Sequence, residues 1–335
     1  MKNSRFSFIN FVSEIQDYIF NPNQRYHKWG ANNDTPTTLL KLYDTVPEHS
    51  SAINFILSNV IENDIDEMDY WTLQKLALDY ILFGGFAVEV VKLRNNTYQY
   101  NYKDISLIRL NPDKNKIGFS ENWGNYKSDV EWFDKVDNLG ETGIYLFKNP
   151  KTRGHYPSPR YISAFKSLDT MREISSYHNN NAKNGFTPNV VINFNNGEPD
   201  EDTKREIENK LKEKFTGVNG SKFILSFNES EETKTTIEKL DNDNLDQRFK
   251  DLQVFLQNQI IISHQLTSGA LIGVRQENTG FSAIEYQEAM EIFELNVISG
   301  YRKELEYGLS ELFGKDVILK DHKETINPIT EEEED

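Results

Sequence analysis

A chain of 335 residues with 37% hydrophobic and 12% aromatic side chains can bury a sizeable core, and because single cores stop growing at roughly 250 to 300 residues, one large domain or two to three smaller ones are expected. Cysteine is absent, which excludes a disulfide framework, a thiol nucleophile and thiolate metal sites, and no run approaches a signal peptide or the roughly 18 apolar residues of a membrane span. The 53 acidic and 37 basic residues leave a net charge of −16, which argues against a protein that grips nucleic acid by neutralising phosphates but not against a surface past which DNA slides.

Residues 1–45 are Asn-rich and aromatic, with Tyr26, Trp29 and the run Asn32 to Pro36 marking irregular structure, so an arm that packs on a neighbour is expected. Thr45, Val46, Pro47 and Glu48 read as a capping box that starts a helix, with Ile53, Ile56, Leu57, Val60 and Ile61 on its buried face. A second helix is predicted from Met68 to Phe83, stopped by Gly84 and Gly85. Short strands follow over Phe86–Leu93, Tyr98–Tyr102, Ile105–Leu110 and Ile144–Phe147, the first two as a hairpin, which makes this block α+β.

After a Gly/Pro loop at 150–159, a long, thinly apolar helix is predicted from Arg160 to Lys183, with Ile162, Phe165, Leu168, Met171, Ile174 and Tyr177 along it. A compact β-α-β unit comes next: strand Asn189–Phe194, helix Glu201–Phe215 with acids at its start and lysines at its end, and strand Lys222–Phe227. Another long helix covers Leu245–His264, and a glycine-bearing loop runs from Thr267 to Phe281. A last helix opens on a second capping box, Ser282 to Glu285, and stops at Gly314, with Gly300 and Gly308 inside it marking a kink or close packing. The acidic run Glu331 to Asp335 is expected to be extended and disordered.

Chemistry-bearing motifs are missing. Neither glycine-rich phosphate signature is present, no Ser stands in G-x-S-x-G, and the six histidines (His27, His49, His155, His178, His264, His322) are scattered singly without zinc spacing. The acidic clusters Asp64, Asp66, Glu67, Asp69 and Asp241, Asp243, Asp246 lack the glycine and the final glutamate of a calcium loop, and read as solvated loops and helix caps. No catalytic residue, metal ligand or cofactor is expected.

The order of elements from Trp29 to Gly314 resembles the portal proteins of tailed bacteriophages, especially the short portal families. The likeness is carried by Gly154 to Pro159 ahead of the long helix, by Asn184, Gly185, Phe186, Thr187 and Pro188 with the strand after them, and by Leu240 to Gly280. Between Leu266 and Gly273 the chain lacks the proline that the family often shows.

The resemblance implies an α+β portal fold: an N-terminal arm (1–45), an α/β wing (46–158), stem helices (159–185 and 241–266), a small β-α-β clip (186–240), a tunnel loop (267–281), a kinked C-terminal helix (282–314) and an acidic tail (315–335). It also implies a homo-oligomeric ring, commonly of twelve, at the capsid portal vertex of a virion, assembled in the host cytoplasm and serving as the DNA channel. Its implied partners are the terminase large subunit during packaging, a head-tail adaptor afterwards, the major capsid and scaffolding proteins, and double-stranded DNA passing without sequence specificity, with no membrane involved. Implied site residues are Gly269, Gly273, Arg275, Gln276, Glu277 and Asn278 in the channel, Phe165, Leu168, Met171, Phe249, Leu252 and Leu256 at the stem interface, and Lys204, Glu208, Lys212 and Asn219 on the clip. The alternatives are another phage head-tail or scaffold protein, or an enzyme that uses some of the many carboxylates.

Overall fold

The computed structural model describes residues 25–62, 64–124, 129–137, 140–183, 190–194, 200–215, 223–227, 245–274 and 282–319. The chain divides into two compact units, one formed by residues 1–168 with 256–335 and the other by residues 169–255. The stretches 1–24 and 320–335, most of the predicted arm and tail, lie outside the described residues.

The first unit begins with helices α1 (Thr35–Thr45), α2 (Pro47–Val60) and α3 (Tyr70–Phe83). Helix α1 lies inside the stretch expected to be an irregular arm. Its Thr-rich start has poor helix propensity, yet Pro36 fixes φ in the first turn, and Pro36, Leu39 and Leu42 supply a buried stripe that outweighs propensity. Trp29 is buried and stacks on Tyr156 with ring centroids 4.7 Å apart, so His27, Trp29 and the α1 stripe belong to the core.

The predicted capping box at Thr45 does not form: Val46 serves both as the C-cap of α1 and the N-cap of α2, and the Thr45 hydroxyl donates back to Lys41 O at 2.5 Å. Helix α3 starts at Tyr70 rather than Met68, because the Asp69 carboxylate accepts from Trp71 N and Thr72 N and caps it there. Gly84 ends α3 at φ 84°, and a Cβ there would lie 2.1 Å from Ser158 O, so glycine is required twice over.

Strands β1 (Gly85–Lys92), β2 (Tyr98–Lys103), β3 (Ile108–Leu110), β4 (Lys116–Phe119), β5 (Glu131–Asp134) and β6 (Gly143–Lys148) form two three-stranded sheets. The first has the order β2-β1-β6, antiparallel throughout, and sets Val88 between Tyr102 and Tyr145. The predicted hairpin is therefore present. In the second, β3-β4-β5, β4 and β5 were not foreseen, and the strand predicted at Ile105–Leu110 begins as a 3-10 turn over Ile105–Leu107 that Asp104 caps through Ser106 N at 2.8 Å.

A 3-10 turn at Arg160–Ala164 leads into α4 (Phe165–Lys183), within which the first unit gives way to the second. The second unit holds β7 (Val190–Phe194), α5 (Glu201–Phe215) and β8 (Phe223–Phe227), with β7 and β8 paired in parallel from Val190↔Phe223 to Phe194↔Phe227. A parallel pair needs a crossover, and α5 supplies it. Asp200 caps α5 by accepting from Thr203 N at 2.9 Å. Helix α6 (Leu245–Ser263) passes back into the first unit.

The first unit closes with α7 (Ala283–Phe293), a π turn at Glu294–Ile298 and α8 (Ser299–Phe313), capped by Gly314 at φ 67°. The irregularity in this long helix thus sits at 294–298 and not at a glycine. Gly308 is a close-packing position, since a Cβ there would meet the Phe147 ring at 2.8 Å. Beyond the helix, Val317 and Leu319 are buried, Val317 N donates to Ser310 Oγ at 2.9 Å and Leu319 N to Glu306 Oε1 at 2.7 Å. The predicted free tail therefore starts no earlier than residue 320.

Candidate interaction surfaces

The apolar stripes on the two long helices are used in two ways. Leu168, Met171 and Leu256, expected at a subunit interface, are 0%, 2% and 4% exposed and so are covered by their own chain. Phe165 and Phe249 are half-buried. Phe249 stacks on Tyr177 with centroids 5.4 Å apart and meets His178 edge-on. Of the six expected interface residues only Leu252 is exposed, together with neighbours the sequence did not single out: Val254, Phe255 and Ile262 on α6 and Tyr177 on α4. Leu252 and Leu256 are one turn apart and nearly share a face, but Leu252 belongs to the second unit and Leu256 to the first, which buries it.

A second exposed apolar set follows residues 267–281, the expected tunnel loop. Ile284 and Ile292 on α7 and Leu295 on the π turn are half or more exposed. Ile292 and Leu295 are three residues apart and so neighbours on one helical face.

The start of the expected tunnel loop is folded. Gly269–Ile272 is a 3-10 turn whose N-cap Ser268 accepts from Ala270 N at 3.2 Å, and Gly269 and Leu271 are buried. Thr267 Oγ1 donates to Ala289 O on α7 at 2.6 Å, pinning the turn. Gly273 ends it at φ 79° with open space where a Cβ would stand. Arg275, Gln276, Glu277 and Asn278 lie outside the described residues. On α5, Lys204 pairs with Glu201 at 3.5 Å; the side chains of Glu208 and Lys212, and Asn219 altogether, lie outside the described residues.

Sequence reading missed the polar groups that knit the first unit together. Glu304 on α8 accepts from Tyr80 on α3 and Arg160, from Asn149 Nδ2 at 3.1 Å, and pairs with Lys151 at 3.3 Å. Arg160 lies over the Tyr301 ring at 3.9 Å. Burial would raise the Glu304 carboxyl, but hydrogen bonds from Arg160 and Tyr80 and the charges of Arg160 and Lys151 outweigh it and hold the group below its ordinary value. Arg302 pairs with buried Glu294 at 2.9 Å and donates to Asn59 O and Val60 O at the C-terminal end of α2, where a cation is favoured. Arg109, buried between Trp29 and Trp123, donates to Asn33 and to the carbonyls of Ser106 and Ile108.

His49 and His264, scattered singly in the sequence, meet at 2.9 Å in the core. Their 215-residue separation hides the pairing from any local pattern. Among the described residues no three metal-ligating side chains cluster, and no helix is long and apolar enough to cross a membrane. The acidic groups near 64–69 act as a helix cap at Asp69 and as ion-pair partners of Lys315 at Asp66 and Glu67.

No family model matches the chain, and no curated protein matches it. Among solved structures, a chain in the virion of a native gene transfer agent (GTA) particle matches with a TM-score of 0.54 at 14% identity, over 88% of this chain and 85% of that one. A chain in the neck of the native GTA particle, computed with C12 symmetry, matches with a TM-score of 0.53 at 13% identity over the same shares, 88% and 85%. An HK97 family phage portal protein from Corynebacterium diphtheriae aligns at 12% identity over 81% of this chain and 89% of that one, with a TM-score of 0.49. At these identities the matches to the GTA chains establish a shared fold.

Proposed function

We propose that this chain is a portal-type subunit of a phage-like particle, a structural protein that assembles into a ring of about twelve copies around a DNA channel at the capsid vertex. The observation that carries the reading is the fold shared with the GTA virion and neck chains across 88% of the sequence, in line with the portal-like order of motifs in the sequence. The exposed apolar residues on α6 and α7 support it as well, because a heterologous ring contact needs two different patches on each copy.

In this reading residues 186–240 form the clip that receives the terminase large subunit during packaging and a head-tail adaptor afterwards. Residues 267–281 form the channel loop, in which Arg275 contacts phosphates without reading sequence. The rest of the ring, at −16 per copy, repels DNA and keeps it from sticking. No step of chemistry is assigned to the chain.

Electron microscopy of the purified protein tests this. Rings with a central hole are expected, and a protein that stays monomeric at every concentration refutes the reading. Two substitutions one turn apart sharpen it: Leu252→Asp, at an exposed position, is expected to abolish rings while leaving the circular dichroism of the subunit unchanged. Leu256→Asp, at a position only 4% exposed, is expected to unfold the subunit itself, by several kcal/mol at the order of magnitude for burying an unpaired charge.

A further inference from the structure

His49 on α2 and His264 just beyond α6 are fully buried, at 0% and 2% exposure, and His49 Nδ1 lies 2.9 Å from His264 Nε2. Both rings pack on Tyr161 of the Arg160–Ala164 turn, at 4.5 and 4.9 Å between centroids. The outer nitrogens, His49 Nε2 and His264 Nδ1, have no hydrogen-bond partner. One ring donates and the other accepts, so whichever tautomers are present, one buried N–H and one buried lone pair go unanswered. A proton added to either ring would leave a buried charge with the other ring as its one partner.

Among the described residues no carboxylate hydrogen-bonds to either ring. Tyr161 turns its hydroxyl to Leu82 O at 2.7 Å, Glu48 on α2 accepts from Gln257 of α6 at 2.8 Å, and Arg160 points to Glu304. The segment after His264 continues from this junction: Gln265 has a positive φ of 57°, Leu266 N donates to Ile261 O, and the pinned turn Gly269–Ile272 follows. That turn leads by chain connectivity into residues 275–281.

We propose that the His49–His264 pair is an acid-sensitive latch: neutral, it closes the junction of α2, the Arg160–Ala164 turn and the end of α6; protonated, it releases residues 264–274. The inference stands on the histidine geometry and not on the portal reading. Burial, with the charge of His264 in second place, pushes His49 down to about 2, and burial alone pushes His264 down to about 3, from an ordinary value of 6.5. Both folded values are depressed, so the open form binds more protons; the latch holds fully above pH 6.5 and weakens steadily below it. At pH 5 the opening equilibrium rises about 30-fold for each imidazole that reaches water, or ~1000-fold for both.

Amide hydrogen exchange of the full chain, corrected for intrinsic rates and read over residues 264–274 at pH 7.5 and 5.0, tests this. The comparison protein is the double variant His49→Asn with His264→Gln, whose amides reproduce the paired ring nitrogens but do not titrate. With both imidazoles released the wild type is expected to lose ~1000-fold of its protection in acid and the variant none. An unchanged wild type, or an equal loss in the variant, overturns the proposal. Should the double variant fail to fold, His264→Gln alone is expected to keep only the share of the one remaining imidazole, about 30-fold, and an undiminished pH response in it overturns the proposal equally.

Discussion

Gly300 and Gly308 stand two turns apart in α8, and their alanine variants are expected to move stability in opposite directions. Each substitution gains about 1 kcal/mol of helix propensity. At Gly300 the added methyl meets only the Arg160 guanidinium at 3.4 and 3.5 Å, an ordinary contact. At Gly308 it meets Cγ and both Cδ atoms of Phe147 at 2.8 to 3.0 Å. Phe147 is 3% exposed and wedged among Tyr80, Phe86 and Tyr307, so its ring has nowhere to swing and α8 must back away from β6. Forcing a methylene into a packed core costs about 1 to 3 kcal/mol, and because the propensity gain is common to both variants, that strain is the whole difference between them. All four tryptophans, Trp29, Trp71, Trp123 and Trp132, belong to the first unit, so urea unfolding followed by tryptophan fluorescence reports on that unit alone. The Gly300→Ala midpoint is expected at or above wild type and the Gly308→Ala midpoint below it. A Gly308→Ala protein as stable as Gly300→Ala would refute the packing argument.

Two further substitutions are read in the same assay. Arg302→Met leaves Glu294 buried without its 2.9 Å partner and two α2 carbonyls uncapped, a loss of about 3 to 5 kcal/mol; the double variant Glu294→Leu with Arg302→Met is expected to recover much of it, and no recovery would mean that the pair itself contributes little. Asp79 is raised well above the ordinary carboxylate value, first by burial and then by the charge of Asp104, so its protonated form suits the fold and stability is lost as pH rises through the folded value. Asp79→Asn is therefore expected to raise the urea midpoint at pH 7.5 and to change it little at pH 4, and a destabilised variant at pH 7.5 would show that the carboxylate is held charged.

What the sequence disclosed was mainly periodic. The β-α-β order of the second unit, both long helices and the β1–β2 hairpin were legible because each repeats an apolar pattern within a few residues. Helix α1 was not, since Thr35, Thr37 and Thr38 argue against a helix that Pro36, Leu39 and Leu42 secure only by being buried. Strand β5 was missed because Glu131, Trp132 and Asp134 are exposed and carry no alternation toward a core. The π turn leaves no mark in composition. It begins at Glu294, whose partner Arg302 lies eight residues on in α8. Leu252 and Leu256 look alike in sequence, and only the folded chain separates the one left open from the one covered.

The unforeseen contacts have a common form. Glu304, Arg302, Arg109 and His49 each join segments more than 70 residues apart, and the three charged ones are paired or hydrogen-bonded within the first unit by named partners. Burying such groups contributes little net stability against an apolar replacement, but a wrong arrangement would strand a charge, so they select one packing over its rivals. The exposed aliphatic groups of α6 and α7 behave in the opposite way. They penalise no alternative arrangement, gain only when covered, and at roughly 25 cal/mol per Å² of apolar surface supply a driving force that a single subunit leaves unused. Substitutions in the two sets should therefore separate cleanly: those in the polar network change whether the subunit folds, whereas those at Leu252, Phe255, Ile262 or Ile292 change what the folded subunit associates with.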